Sequence, residues 1–162
     1  SASFFLGKGS DKVIAEQMTA KAGVPTYTTA TAAVDALRTV GAKSVAIATP
    51  YLSWVYEAER TFFQEAGFQV VAINGLERHG GTDISSISDD EIRGLVTDID
   101  RPTADAIFVS CTDLPVLGLI DELERTHNKP IVTSNQATYW AAAKTDGVPP
   151  VTRYGTLLKD HL

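Results

Sequence analysis

Four short runs of apolar, mostly β-branched residues alternate along the chain with longer stretches in which apolar positions recur every three or four residues. The runs occupy residues 44–48, 69–73, 106–109 and 130–132. Continuous apolar runs of this length are typical of strands that are buried on both faces of a sheet. The pattern therefore predicts four buried strands, and a shorter fifth strand at residues 25–28.

The stretches between these runs predict helices. The clearest one follows a capping box formed by Ser88 and Glu91. Its apolar face consists of Ile92, Leu95, Val96 and Ile99. Further helices are predicted at residues 11–21, 32–40, 54–66, 114–126, 136–144 and 154–162. Because strands that alternate with helices form right-handed βαβ units, the predicted fold class is α/β, with a Rossmann-like, mostly parallel sheet flanked by helices.

Composition and charge narrow the classes of partner. The chain has 162 residues, 44% of them hydrophobic, and a formal net charge of −6, so it can bury a core but has no surplus of cations for a nucleic acid. No apolar run reaches the roughly 18 to 20 residues of a membrane span. We therefore expect a cytoplasmic protein without a nucleic-acid or membrane partner. The single cysteine, Cys111, excludes an intrachain disulfide, and the three histidines lack zinc-site spacings.

Small hydroxyl-bearing residues follow the predicted strands, at residues 28–31, 49–51, 110–113 and 133–135. Ligands of parallel sheets bind at the carboxyl ends of the strands, so these side chains are expected along one edge. Hydroxyls and backbone N–H groups gathered there make a cradle for a carboxylate. The same residue types are also ordinary helix caps, which is the simpler interpretation of each one taken singly.

Cys111 is the candidate for thiol chemistry. It follows the apolar run at residues 106–109 and precedes a predicted helix, whose N-terminal dipole favours a thiolate. A lone cysteine is as readily a small buried hydrophobe. Its polar neighbours Ser110, Thr112 and Asp113, in a turn at a strand end, favour the functional interpretation.

Four motifs carry a resemblance to a known family: SASFFLG at residues 1–7, TTAT at 28–31, ATPY at 48–51 and SCTDLP at 110–115. In this order they resemble the motifs of the aspartate/glutamate racemase superfamily, most closely maleate isomerases and arylmalonate decarboxylases. The resemblance implies two pseudo-symmetric α/β halves, each of which places one cysteine position against a substrate carboxylate. Only the second position is present in this chain, as Cys111.

The same resemblance implies a domain organisation, because the opening stretch corresponds to the segment that follows the first cysteine position. We therefore expect a chain that lacks its N-terminal part. Residues 1–27 would be a remnant of the N-terminal half, residues 28–142 the C-terminal half that carries Cys111, and residues 143–162 a tail and helix that return towards the N-terminal half.

The resemblance implies that Cys111 is the catalytic acid and base and that no cofactor or metal is needed. The substrate-binding residues that it implies are Ser1, Ser3, Thr29, Tyr51, Ser110 and Thr112. Ser1 and Tyr51 would donate hydrogen bonds to the substrate carboxylate, whereas Ser3 and Thr29 are weaker candidates. The partner would be a small carboxylate substrate, and homo-oligomers are common in the family.

The expected function is that of a cofactor-independent isomerase that acts on a small (di)carboxylate by thiol chemistry, like a maleate cis-trans isomerase. The sequence departs from the decarboxylase pattern, which has two glycines after the thiol where this chain has Thr112 and Asp113. Arylmalonate-type decarboxylation and racemisation of aspartate or glutamate stay open as alternatives. An alternative of another class is a non-catalytic module that binds small carboxylates and needs no thiol.

Overall fold

A four-stranded sheet forms the centre of the computed structural model, which describes residue 4 and residues 9–162. Its strands are β1 (Ser44–Thr49), β2 (Gln69–Gly75), β3 (Ala106–Val109) and β4 (Ile131–Thr133). They are parallel and lie in the order β2-β1-β3-β4. The four main strands predicted from the sequence are therefore confirmed, with bounds that differ by one or two residues.

Helices connect these strands and cover both faces of the sheet. In chain order they are α1 (Ser10–Ala22), α2 (Thr29–Thr39), α3 (Ser53–Glu65), α4 (Thr82–Ser85), α5 (Asp89–Ile99), α6 (Ile120–His127), α7 (Ser134–Thr145) and α8 (Thr156–Asp160). The capping box predicted for α5 is confirmed, since the Ser88 side chain accepts from the Glu91 N–H and the Glu91 carboxylate accepts from the Ser88 N–H. The fold is the predicted α/β class.

Successive residues of the central strands point to opposite faces of the sheet. On β3, Phe108 joins the core formed with α2, α3 and α7, whereas Ile107 and Val109 join the core formed with α5 and α6. Every residue of β1 and β3 is buried, which explains why these runs are continuously apolar. The alternation continues past β3, because Cys111 belongs to the second core and Ser110 faces α3.

The fifth predicted strand, at residues 25–28, does not form. The Thr26 N–H donates to Thr19 Oγ1 at 3.0 Å, and the Thr26 hydroxyl donates to the Ala15 carbonyl at 2.9 Å. Polar groups of this segment are thus paired with α1 instead of a neighbouring strand. Residues 28–31 therefore cap and begin α2, and they do not end a strand.

The helix predicted from residue 114 begins only at Ile120, behind a 3-10 turn at Leu117–Leu119. Pro115 accounts for the exclusion of Leu114, because the residue before a proline is disfavoured in the helical conformation. Cys111 consequently lies in an irregular loop, well before the helix that follows it. The terminal helix, predicted at residues 154–162, is also shorter and spans only Thr156–Asp160 as α8.

No helix within residues 9–162 is long and apolar enough to cross a membrane.

Candidate active site

Cys111 lies two residues after the end of β3 and is 4% exposed. Its backbone φ is +95°, a value that residues other than glycine rarely adopt. Such a conformation persists only where surrounding contacts hold it, and it is found disproportionately at functional sites. The fold thus places the single thiol of the chain on a strained turn at the carboxyl edge of the sheet.

The beginning of α7 holds this turn in place. The Cys111 N–H donates to Ser134 Oγ at 3.1 Å, and Asn135 Nδ2 donates to the Thr112 carbonyl at 2.9 Å. The Asp113 N–H donates to Cys111 Sγ at 3.4 Å, and a donor in this position stabilises negative charge on sulfur. The helix N-terminus beside the Cys111 turn is therefore that of α7. The sequence had predicted the N-terminus of the helix that follows Cys111 in the chain.

A cavity of about 320 Å³ lies against Cys111. Tyr51 and Thr112, two of the predicted substrate-binding residues, line it together with the thiol residue. The other lining residues are Leu52, Trp54, Val55, Arg78, His79, Gly80, Ile84 and Asp113. A cavity of this size, with apolar walls and a few polar groups, suits a small organic ligand.

The loop after β2 forms another wall of this cavity. Arg78 contacts Glu91 at 2.5 Å and Asp83 at 3.5 Å through its two terminal nitrogens. Its backbone N–H donates to the Pro50 carbonyl at 2.8 Å, so the loop is tied to the segment that carries Tyr51. The charge of Arg78 is balanced by these two carboxylates.

A buried carboxyl group lies behind the same strand ends. Glu59, on α3, is fully buried, and the Ser110 hydroxyl donates to its Oε1. Burial raises the pKa of Glu59 to about 7, although the hydroxyls of Ser110 and Thr49 favour its ionised form. Its second oxygen, Oε2, has no hydrogen-bond partner among the described residues. Thr49 is the last residue of β1, and Ser110 directly follows β3.

Two other predicted site residues, Ser110 and Thr29, do not line the cavity. Ser110 is fully buried and is bonded to Glu59, and it does not line the cavity. Thr29 is the first residue of α2 and is also absent from the cavity wall. Ser1 and Ser3 lie outside the described residues. The roles proposed for these residues from sequence, like that of Cys111, stay predictions.

Glu59 was not among the site residues predicted from the sequence. A signal for it was present, because Glu59 has the helical spacing of Val55, Phe62 and Phe63 and so falls on the apolar stripe of α3. Ser134 and Asn135 were visible only as polar residues at a strand end. Within residues 9–162, no three His, Cys, Asp or Glu side chains are grouped so that they could hold a metal ion.

A parallel sheet with a thiol on a strained strand-end turn, beside a small cavity, defines the class as an α/β protein with a candidate cysteine-based active site. Known protein families identify this class more specifically. A family model described as arylmalonate decarboxylase matches residues 1–158. The chain belongs to this family, and the resemblance seen in its motifs is confirmed.

Individual relatives include both named enzymes. The chain is 31% identical to the arylmalonate decarboxylase of Bordetella bronchiseptica over 152 residues, which cover 91% of this chain and 62% of that protein. It is 30% identical to a maleate isomerase of Pseudomonas putida over 128 residues, or 78% of this chain and 51% of the relative. The chain thus spans about half to two thirds of their length.

Solved structures agree with the fold. The maleate isomerase of Pseudomonas putida S16, as a cysteine-to-alanine variant with maleate, has a TM-score of 0.93 at 28% identity. The match covers 99% of this chain and 67% of that one.

Proposed function

We propose that this chain provides the Cys111 side of an enzyme that converts maleate to fumarate by thiol chemistry without a cofactor. The observation that carries the proposal is the strained turn at Cys111, which presents the thiol to a cavity shared with Tyr51 and Thr112. One relative, at 30% identity, is a maleate isomerase. A similar solved structure is that of a maleate isomerase with maleate. Both support the proposal.

The proposed isomerisation proceeds by thiol addition and elimination and uses no oxidant and no metal. The Cys111 thiolate adds to one alkene carbon of maleate, and the displaced electron pair moves onto the other alkene carbon and its carboxylate as an enediolate. Rotation about the resulting single bond and loss of the thiolate then give the trans alkene. Hydrogen-bond donors such as the Tyr51 hydroxyl would stabilise the charge that develops on the carboxylate.

Decarboxylation of an arylmalonate is the second candidate, favoured by the family model over residues 1–158 and by the relative at 31% identity. Loss of carbon dioxide from the malonate carbon leaves the same kind of enediolate, and the Cys111 thiol would protonate it. Both candidates need one thiol and one carboxylate cradle. They differ in whether the thiol attacks carbon or delivers a proton.

Proton NMR of the purified protein with maleate, phenylmalonate, and D- and L-aspartate tests the proposal. We expect fumarate from maleate, and loss of that activity in Cys111→Ser, because the hydroxyl is a far weaker nucleophile. Thr97→Ala, a change on the exposed face of α5, serves as the control and should leave the rate unchanged.

Three results would contradict the proposal. If phenylmalonate is consumed and maleate is not, the decarboxylase candidate replaces it. If maleate binds with equal affinity to the wild type and Cys111→Ser without turnover, the chain is a binding module. If Cys111→Ser keeps the wild-type rate, the thiol has no role.

A further inference from the structure

The buried carboxyl group of Glu59 interacts with residues at the ends of two strands, β1 and β3, that lead to the cavity. Its Oε1 accepts from the hydroxyl of Ser110, which directly precedes Cys111. The hydroxyl of Thr49 also acts on this carboxyl group, and Thr49 Oγ1 accepts from the Tyr51 N–H at 3.4 Å. One buried side chain is thus connected to both cavity segments.

We propose that Glu59 is a positioning residue, which joins the segments of Tyr51 and Cys111 from behind the cavity and does so as an uncharged carboxylic acid. This inference rests on the proposed function, since it assigns Glu59 a part in the same site. It adds a residue that does not line the cavity and that acts only through its neighbours.

The uncharged state follows from what surrounds the group. Strands β1, β2 and β3 bring no charged side chain to it. On α3 itself, Arg60 pairs with Glu57 at 2.9 Å, and Glu65 is exposed. From α2, Arg38 donates to the carbonyl of Ala66. No side-chain cation among the described residues pairs with Glu59, and burial of an unpaired charge is costly. The positive charge of the chain's N-terminus favours the ionised form, but burial has the larger effect on the pKa of Glu59.

The positioning role follows from the turn at Cys111. Its φ of +95° requires outside contacts, and the fully buried Ser110 hydroxyl supplies one of them through Glu59. If Glu59 becomes ionised, a negative charge lies behind the strand ends that must hold a substrate carboxylate and an enediolate. We therefore expect the active form to be the protonated one, which is retained up to about pH 7.

The test compares Glu59→Gln, which mimics the uncharged acid, with Glu59→Leu, which keeps the volume but cannot bond to Ser110. Glu65→Gln, an exposed acid on the same helix, is the matched control. The first measurement is kcat/KM for maleate between pH 5.5 and 9. Because the dependence on ionisation of the Cys111 thiol is shared by all variants, the ratio of kcat/KM for Glu59→Gln to that for the wild type isolates Glu59. This ratio should be near one at pH 6 and rise about tenfold per pH unit above neutrality, whereas the ratio for Glu65→Gln should not change with pH.

Glu59→Leu should lose activity at every pH, mainly in kcat, so that Glu59→Gln counts as a rescue. Overturning results are a Glu59→Gln profile parallel to that of the wild type, a Glu59→Gln variant as inactive as Glu59→Leu, or a Glu59→Leu variant with the wild-type rate. If Glu59→Leu does not fold, the Glu59→Gln profile alone decides.

A second measurement separates failure of this inference from failure of the proposed function. Alkylation of Cys111 by iodoacetamide, followed by mass spectrometry, needs no turnover. Above pH 7 the thiol of Glu59→Gln should react several-fold faster than that of the wild type, because ionised Glu59 adds a negative charge behind the turn that carries Cys111 and so disfavours the thiolate; below pH 6 the rates should agree. Equal rates at every pH would refute the coupling, even if maleate is not a substrate.

Discussion

Gly75 offers a direct test of how closely the cavity wall depends on packing behind it. It is the last residue of β2 and pairs with Thr49. A Cβ atom at this position would lie 2.4 Å from the backbone oxygen of Tyr51 and 2.8 Å from Cδ1 of the Tyr56 ring. Its φ is not positive, so the requirement for glycine at this site comes from close approach alone.

The expected cost of Gly75→Ala is that of overpacking. Inserting an extra carbon into a packed site costs roughly 1 to 3 kcal/mol, and here the nearest atom belongs to the backbone and cannot rotate away. The segment can yield only by moving Tyr51. Since a misplacement of about 1 Å can cost about a hundredfold in rate, we expect activity to fall more than stability alone would explain.

Urea denaturation and maleate turnover of the same preparations measure both effects. Gly94→Ala is the control, because Gly94 is an exposed residue of α5 with nothing within 4 Å of the added carbon; alanine there should stabilise the protein by roughly 0.5 to 1 kcal/mol. If Gly75→Ala is as stable and as active as the wild type, the close packing of Tyr51 on β2 does not require glycine at position 75, and the prediction is refuted.

Three further predictions concern single contacts. Tyr51→Phe should lower kcat/KM roughly 10- to 100-fold with little change in stability, because a hydrogen bond to a charged group contributes about 1.5 to 3 kcal/mol; an unchanged kcat/KM would remove Tyr51 from the site. Ser88→Ala should cost about 1 kcal/mol in urea denaturation through loss of the α5 cap, and no loss would show that the cap is dispensable. Glu59 ionises near pH 4.5 when unfolded and near pH 7 when folded, so its stabilising effect is complete below pH 4.5 and is lost as the pH rises through 7. In urea denaturation, the free energy of unfolding of the wild type should therefore fall by roughly 3 kcal/mol as the pH rises from 5 to 8, and that of Glu59→Gln should not. Parallel curves for the two proteins would contradict the assignment.

Several features of the site could be predicted from the sequence because they depend on neighbours along the chain. The position of Cys111 after a strand followed from the apolar run that precedes it, and the start of α5 followed from the Ser88–Glu91 spacing. Tyr51 was expected near Cys111 because parallel strands bring their carboxyl ends to one edge, and Thr112 directly follows Cys111 in the sequence. The cavity lined by these three residues agrees with that expectation.

Other features were wrong or missing in the sequence prediction because distant residues decide them. The segment at residues 25–28 has the composition of a strand but bonds to α1. The helix expected right after Cys111 starts only at Ile120, and the contact that holds the turn comes from Ser134 of α7. Asn135 likewise reaches Thr112 across 23 residues of sequence.

The sequence by itself determined the α/β class, the order of the elements and the place of the thiol at a strand end, since hydrophobic periodicity and local capping are properties of short segments. The tertiary structure alone decided the positive φ of Cys111, the neighbours of Ser110 and the environment of Glu59. A glutamate on an apolar helical stripe can be read from spacing, but its charge depends on solvation and partners. One of those partners, Ser110, lies 51 residues away in the sequence, and only folding brings it to Glu59.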